Sequence, residues 1–398
     1  MRTQLECSNC RKTCDPLARI GVCPACGKPL LVRYDLDRLL GRFLPHEVGQ
    51  RALRSMWRLR EVLPVHDPDN IVTLGEGGTP LLKLLRRGPF QPYPHLYMKD
   101  EAFNPTGTFK ARGLAAAVSM AKELGVKAVA LPSAGNAGGA AAAYCARAGI
   151  ACHLFMPKDT PRANIAEAVI YGARVALVDG LIHDCGRLVK AGQEEHGWFD
   201  LSTLKEPYRL EGKKTMGYEL ALDFGLELPD VILYPTGGGT GLIGMWKAFE
   251  EMERLAWIGP RRPKMVVVQS SGCAPIVKAW REGRREAPLW EHAETIASGL
   301  RVPAAIGDFL MLDIVRQSNG WGVDVSDEAI LHAQGELARE QGLYICPEGA
   351  ACWAALKRLV AEGKLGGEER ILLFNTGVGL KYTDLVPLDL PVLQPPPR

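Results

Sequence analysis

Short apolar runs alternate along the chain with longer segments rich in alanine. The apolar runs that have the length of a strand lie at residues 128–131, 152–156, 174–178, 231–234, 265–269 and 371–374. The segments of helical composition between these runs lie at residues 137–148, 161–171 and 242–252. Alternating strands and helices form parallel sheets that are covered by helices. The pattern therefore predicts an α/β fold with two α/β domains, each with a parallel-sheet core, and a cleft between them.

The remaining segments depart from this alternation. Residues 34–70 are charged and carry scattered leucines around Trp57, which predicts a helical segment. The proline-rich end of the chain, residues 391–398, is predicted to be loose. The predicted division of the chain is a cysteine-rich module at 1–33, an N-terminal segment of the large domain at 34–95, a small α/β domain at 96–205, the large α/β domain at 206–385 and a tail at 386–398.

Composition and charge narrow the class of protein. Hydrophobic residues make up 47% and charged residues 23% of the 398 positions, as in ordinary globular proteins. The 48 lysines and arginines are balanced by 45 acidic residues, which argues against nucleic acid as the main partner. No apolar run reaches the length of about 20 residues that spans a bilayer, and the N-terminus lacks the pattern of a signal peptide. We therefore expect a cytoplasmic protein without a nucleic-acid or membrane partner.

Five of the eleven cysteines lie in the first 26 residues, which indicates a metal site rather than a set of disulfides. Cys7 and Cys10 form one C-x-x-C pair, and Cys23 and Cys26 form a second pair, with twelve residues between the two pairs. Four thiolates at such a spacing bind one tetrahedral Zn²⁺ and leave no coordination position open for a substrate. The sequence thus predicts a structural zinc site in a zinc-ribbon-like module, with Cys14 as a competing thiol.

A lysine at the end of a turn is the strongest candidate for catalysis. Lys110 follows the segment 104–109, in which Pro105 and Gly107 favour a turn, and it precedes an alanine-rich run. We therefore predict that it lies at a helix N-terminus, where the helix dipole and an apolar setting disfavour the ammonium form. A lysine whose pKa is lowered acts as a nucleophile and a base. The alternative is an ordinary surface lysine.

Three segments join a predicted strand to a helix or loop and contain glycine. The segment Gly237 to Gly241 offers backbone amides to a phosphate group. The segment Ser133 to Gly138 offers amides to a carboxylate in the same way. The segment Asn375 to Gly379 follows the last apolar run, which places Thr376 where strand ends usually meet ligands. Taken one by one, each segment is equally consistent with a simple turn.

Together these features resemble the fold type II family of pyridoxal-phosphate enzymes, which includes threonine synthases, threonine and serine dehydratases and cysteine synthases. The resemblance extends roughly from Gly75 to Lys381, and its landmarks occur in the order found in the family. It implies that pyridoxal 5′-phosphate is the cofactor and an amino acid the substrate. It also implies the fold of the tryptophan synthase β subunit and a homodimer.

The resemblance also implies roles for individual residues. Lys110 matches the lysine that forms the Schiff base, and Asn136 matches the contact to the ring hydroxyl. Thr376 matches the partner of the pyridine nitrogen, while Ser133 and Gly135 match the site of the substrate carboxylate. The residues that match the phosphate-binding loop are Gly237, Gly238, Gly239 and Thr240.

Within the family, two segments resemble those of threonine synthases. One is Gly75 to Leu81, and the other is Arg209 to Thr215, which is similar to their R-L-E-G-x-K-T segment. In that segment the arginine binds the substrate phosphate. A cysteine-rich module also precedes the catalytic domain in some threonine synthases. The resemblance implies conversion of O-phospho-L-homoserine and water to L-threonine and phosphate, with Arg209 on the leaving phosphate and the small domain closing over the substrate.

Three features depart from the threonine synthases and leave alternatives open. Ala111 replaces an aspartate, the glycine loop lacks an asparagine, and Ser202-Thr203 replaces an Asn-Ser pair. An ammonia-lyase acting on threonine or serine, or a β-replacement enzyme such as a cysteate synthase, is the alternative among enzymes. A zinc-ribbon protein that binds nucleic acid and carries an inactive catalytic domain is the alternative from another class. The balanced charge and the presence of Lys110 argue against it.

Overall fold

The computed structural model describes residues 3–395. Its strands are β1 (Thr3–Cys7), β2 (Thr13–Cys14), β3 (Leu30–Tyr34), β4 (Leu81–Lys83), β5 (Leu96–Asp100), β6 (Ala128–Pro132), β7 (Ala151–Pro157), β8 (Arg174–Val178), β9 (Phe199–Asp200), β10 (Val231–Pro235), β11 (Lys264–Ser270), β12 (Trp321–Val325) and β13 (Ile371–Asn375). Its α-helices are α1 (Pro45–Gln50), α2 (Lys110–Glu123), α3 (Asn136–Ala148), α4 (Arg162–Ile170), α5 (Ile182–His196), α6 (Tyr208–Asp223), α7 (Thr240–Arg254), α8 (Pro275–Arg281), α9 (Asp308–Gln317), α10 (Asp327–Gln341) and α11 (Pro347–Ala361).

The larger α/β domain is built on a six-stranded sheet with the order β12-β11-β10-β13-β5-β4. Its strands pair in parallel except for β4, which is antiparallel to β5. Successive side chains of β10 point to opposite faces of the sheet. Ile232 and Tyr234 lie in one buried core together with residues of α6 and α7. Val231 and Leu233 lie in a second core together with Trp353 of α11. The sheet is therefore buried on both faces, as the continuous apolar runs predict.

The smaller α/β domain is built on a four-stranded parallel sheet with the order β8-β7-β6-β9. Helix α2 packs against α3 and also against α6 of the larger domain. Strand β5 was placed in the small domain by the predicted boundaries at 96–205. In the structure it pairs in parallel with β13, so that range includes one strand of the larger sheet.

The N-terminal module is a three-stranded antiparallel sheet with the order β2-β1-β3. It is attached to the larger domain through helix α6. The hydroxyl of Tyr34, at the end of β3, donates a hydrogen bond to Glu211 Oε2 at 2.8 Å. The hydroxyl of Tyr208 donates to the carbonyl oxygen of Pro16 at 3.2 Å. The module thus contacts the helix that carries the Arg209 segment.

The prediction of a helical segment at residues 34–70 is wrong in large part. The only α-helix there within the described chain is α1, with six residues, and the rest is short 3₁₀ turns and irregular backbone. Prolines interrupt the segment. Trp57 is held instead by a hydrogen bond from its indole nitrogen to Glu76 at 2.6 Å. At the other end of the chain, residues 391–395 are exposed and carry no helix or strand, and residues 396–398 of the predicted tail lie outside the described residues.

Among residues 3–395, no helix combines the length and the apolar character that crossing a membrane requires.

Candidate active site and metal site

A cavity of about 650 Å³ lies between the two α/β domains. The carboxyl ends of β6, β10 and β13 all reach it, because the segments that follow these strands line its walls. Ligands in parallel α/β sheets usually bind at this edge. The cavity brings together all but one of the catalytic, cofactor-binding and substrate-binding residues that the sequence predicted.

Lys110 is the first residue of α2, and its half-buried side chain lines the cavity. The backbone N–H of Phe109 donates to the carbonyl oxygen of Thr376 at 3.1 Å, which fixes the start of α2 against the end of β13. Burial and then the positive charge of Arg209 lower the pKa of Lys110 from 10.5 to about 8, against the opposing effects of Glu348 and Cys346. The predicted lowering of this pKa is thus present, with burial as its main cause.

The loop Gly237 to Gly239 joins β10 to α7, and Thr240 is the first residue of that helix. Gly239 has a φ of +78°, which favours glycine. A Cβ atom on Gly238 would lie 2.6 Å from the side chain of Thr203, and one on Gly239 would lie 2.2 Å from Met311. The loop therefore requires residues without side chains. Its amides and the N-terminus of α7 lie at the cavity wall, a geometry suited to an anion.

Asn136 and Thr376 line the cavity from opposite domains. Asn136 donates through Nδ2 to the hydroxyl of Tyr382 at 3.2 Å, while its Oδ1 is buried without a hydrogen-bond partner. The hydroxyl of Thr376 lies 3.6 Å from the sulfur of Cys346. Both residues thus bring polar side chains to the wall of the cavity.

Ser133 lies in the cavity wall, but its hydroxyl mainly organises the turn before α3. It donates to the carbonyl oxygen of Gly135 at 2.9 Å and accepts hydrogen bonds from the backbone N–H groups of Gly135 and Gly138, the latter at 2.8 Å. The hydroxyl is thus engaged within the turn, and a role of Ser133 on a substrate carboxylate stays a prediction.

Arg209 is the one predicted residue of this site that does not line the cavity. It is 2% exposed, and its NH1 donates to the carbonyl oxygen of Leu201 at 2.6 Å. Its Nε is buried and has no hydrogen-bond partner among the described residues. The guanidinium lies behind the wall, near enough to Lys110 to lower the pKa of that lysine.

Sequence reasoning missed two further residues of the wall, Glu348 and Lys213. Glu348 accepts hydrogen bonds from the backbone N–H of Gly299 at 2.8 Å and from the hydroxyl of Tyr382 at 3.1 Å. Its Oε2 is buried and without a partner in the described chain. Lys213 lies in the Arg209 segment, so its position in the sequence was visible but the direction of its side chain was not. Nothing in the sequence around Glu348 indicated that it would reach the site.

The four predicted zinc ligands come together in the N-terminal module. The sulfur atoms of Cys7, Cys10, Cys23 and Cys26 all lie within 4.8 Å of one another. The sulfur of Cys7 is 3.4 Å from that of Cys26, and the sulfur of Cys10 is 3.6 Å from that of Cys23. Ligands at ~2.3 Å from a tetrahedral ion lie ~3.8 Å apart, so the group fits Zn²⁺. Cys14 is not a member of this group.

Comparisons with known proteins agree with this geometry. A family model described as "Pyridoxal-phosphate dependent enzyme" matches residues 72–377. The threonine synthase of Methanocaldococcus jannaschii is 36% identical over 380 residues, which cover 95% of this chain and 93% of that protein. The threonine synthase of Methanosarcina acetivorans is 35% identical over 378 residues, which cover 95% of this chain and 92% of that protein.

Solved structures support the same fold. The processed form of threonine deaminase isoform 2 from Solanum lycopersicum superposes with a TM-score of 0.65 at 22% identity, covering 77% of this chain and 82% of that one. At this level of identity the likeness concerns the fold alone.

Proposed function

The chain belongs to the family of pyridoxal-phosphate dependent enzymes, and we propose that it converts O-phospho-L-homoserine and water to L-threonine and phosphate. The observation that carries the proposal is the cavity itself. There Lys110 lies in one wall with the glycine loop before α7, and the Arg209 segment lies against it. Two threonine synthases align with 95% of the chain at 35–36% identity, and this similarity supports the choice of substrate.

The residues present fit the cofactor. Lys110 has a lowered pKa, as a lysine that forms an imine requires. The loop from Gly237 to Gly239 lines the cavity at the N-terminus of α7, where its backbone amides can bind a phosphate group. The buried Oδ1 of Asn136 is free to contact the ring hydroxyl, and the hydroxyl of Thr376 to contact the ring nitrogen.

The bound cofactor would supply an electron sink for the carbanions that develop along the amino acid. The chain supplies the remaining chemistry. In its neutral form Lys110 accepts a proton from Cα or Cβ of the substrate, and the ammonium group that results donates the proton back. The amides of the turn after Ser133 hold the substrate carboxylate at the N-terminus of α3. The walls contributed by the two domains limit the access of water until it is needed at Cβ.

Arg209 is proposed to bind the phosphate of the substrate. Its guanidinium needs to exchange its hydrogen bond to the Leu201 carbonyl for one to the phosphate, and its unpartnered Nε supplies a second donor. Replacement by methionine, which is similar in size, removes charge-assisted hydrogen bonds. We expect a loss of roughly 30- to 1,000-fold in kcat/KM for O-phospho-L-homoserine, with a much smaller change in any deamination of L-threonine.

Equal losses with both substrates would assign Arg209 a structural role. The direct test of the function itself is product analysis with four substrates offered separately: O-phospho-L-homoserine, L-threonine, L-serine and O-phospho-L-serine. Release of phosphate and L-threonine from the first is the expected result. The proposal is refuted if the protein forms 2-oxobutanoate or pyruvate while leaving O-phospho-L-homoserine unchanged.

A second candidate function, an ammonia-lyase acting on threonine or serine, is favoured by one feature. The loop Gly237 to Gly241 has no asparagine side chain to contact a substrate phosphate, and Gly241 cannot accept a longer side chain because a Cβ atom there would lie 1.9 Å from the hydroxyl of Tyr234. A β-replacement enzyme is the other alternative among enzymes. The same product analysis separates both from the main proposal.

The remaining parts of the proposal concern the bound metal, the oligomeric state and the cellular location. We propose that Cys7, Cys10, Cys23 and Cys26 hold one structural Zn²⁺, since the group fits its geometry and leaves no position for substrate. The homodimer and the cytoplasmic location stay predictions that rest on the resemblance and on the sequence.

A further inference from the structure

Lys213 is a buried lysine with an unusual set of neighbours. It lies in α6, is 1% exposed, and lines the cavity. Its Nζ donates a hydrogen bond to Oγ1 of Thr240 at 2.6 Å, at the first residue of α7 and directly after the glycine loop. It also lies 4.6 Å from the centre of the Phe109 ring, the same ring that Nζ of Lys110 approaches to 4.1 Å.

The neighbouring lysine shows what a structural role looks like in this helix. Lys214 is as deeply buried, and it forms salt bridges with Glu211 at 2.8 Å and with Glu251 at 2.9 Å. Lys213 forms no salt bridge with any carboxylate of residues 3–395, and a threonine hydroxyl is its one hydrogen-bond partner there. Burying an ammonium group without a counter-charge is costly, so a fold that retains one generally uses it.

The cavity has an excess of positive charge around this lysine. Burial, Lys110 and Arg209 lower the pKa of Lys213 well below its ordinary range, and Glu206 opposes this effect. Lys110 and Arg209 form no salt bridge within the described chain either. A dianion at the N-terminus of α7 would supply the missing counter-charge. It would also accept hydrogen bonds from the free N–H groups of the Lys213 ammonium.

We propose that Lys213 is a phosphate-binding residue of the active site, which binds a phosphate group held at the Gly237–Thr240 loop. This inference rests on the proposed function, because the phosphate belongs either to the cofactor or to the substrate. In both cases the chemistry is that of a phosphate monoester dianion bound by an ammonium, a helix N-terminus and backbone amides. The residue occupies the variable position of the R-L-E-G-x-K-T segment.

The test compares Lys213→Gln, which keeps the polarity and removes the charge, with Lys213→Arg, which keeps the charge. Lys190→Gln is the matched control, because it removes the same charge from an exposed position at the cavity. In the first arm, cofactor-free enzyme is titrated with pyridoxal 5′-phosphate and with pyridoxal, which lacks the phosphate. In the second arm, inorganic phosphate is titrated into the cofactor-loaded enzyme by calorimetry. Neither arm requires turnover. Both therefore measure phosphate binding even if the enzyme does not catalyse the proposed reaction.

If Lys213 binds the cofactor phosphate, Lys213→Gln weakens binding of pyridoxal 5′-phosphate by about 10- to 150-fold and leaves pyridoxal within twofold of wild type. If it binds the substrate phosphate, the same loss occurs for inorganic phosphate while cofactor binding is unchanged. Lys213→Arg recovers part of the loss in either case. The proposal is overturned if both phosphate affinities stay within twofold of wild type, if pyridoxal and its phosphate weaken equally, or if Lys190→Gln gives the same loss.

Discussion

The lowered pKa of Lys110 can be measured directly in enzyme stripped of cofactor. An ordinary lysine titrates at 10.5, whereas burial and the charge of Arg209 bring the pKa of Lys110 to about 8. A difference of this size corresponds to about 3 kcal/mol of free energy between the charged and neutral forms. Because the pKa is lowered, the neutral amine forms at lower pH than it does in other lysines.

The size of the decrease in the pKa of Lys110 decides whether its larger fraction of neutral amine can be measured. At pH 7.5, a lysine with a pKa of about 8 is roughly one quarter neutral, whereas an ordinary lysine is only about 0.1% neutral. Lys110 should therefore present roughly 200-fold more amine than an exposed lysine at the same pH. This difference is large enough to dominate competitive chemical labelling.

The assay is trace acetylation of the cofactor-free enzyme between pH 6 and pH 11, with the label on each lysine measured by peptide mass spectrometry. Labelling of Lys110 should rise to half its maximum near pH 8, and the exposed Lys190 is measured in the same experiment as the reference. Arg209→Met removes a cation that lowers the pKa, so it should move the Lys110 curve to higher pH. A Lys110 midpoint near that of Lys190 would refute the argument from burial.

Two further predictions concern the metal and the stability of the fold. Metal analysis should find one zinc per chain, which Cys10→Ser should remove and Cys14→Ser should retain; retention in both variants would place the metal elsewhere. Arg112→Met should lower the free energy of unfolding by about 3–5 kcal/mol, measured by urea denaturation, because it leaves the buried Glu101 without its salt bridge and Glu219 with Lys99 alone. The exposed Arg358→Met is its control, and a loss below about 1 kcal/mol for Arg112→Met would contradict the reasoning.

The buried salt bridges of Arg112 with Glu101 and Glu219 make the stability of the fold depend on pH. Burial alone would raise the pKa of Glu219, but Arg112 and Lys99 lower it far below the ordinary value of 4.5. A carboxylate with a depressed pKa contributes stability that is fully present above its unfolded pKa. Stability should therefore fall as the pH drops below about 4.5. Arg112→Met should flatten this dependence in urea denaturation measured between pH 3 and pH 7, and an unchanged slope would count against the assignment.

The sequence by itself determined the elements and the candidate chemistry. Strands and helices were visible because buried parallel strands are continuous apolar runs and the helices between them are rich in alanine. The loop before α7 and the four cysteines were visible because their function depends on spacing along the chain. The position of Lys110 at a helix N-terminus followed from the turn residues before it. Local chemistry of this kind requires no knowledge of distant contacts.

The tertiary structure alone decided which side chains reach the cavity. Lys213 and Lys214 are adjacent residues of one helix, separated by about 100° around its axis. One faces the glycine loop and the other a buried pair of glutamates, so the packing of α6 gives two lysines different roles. The same packing turns Arg209 away from the cavity towards Leu201. Asn136 donates a hydrogen bond to Tyr382, which lies 246 residues later in the chain, and this contact depends on the arrangement of the two domains.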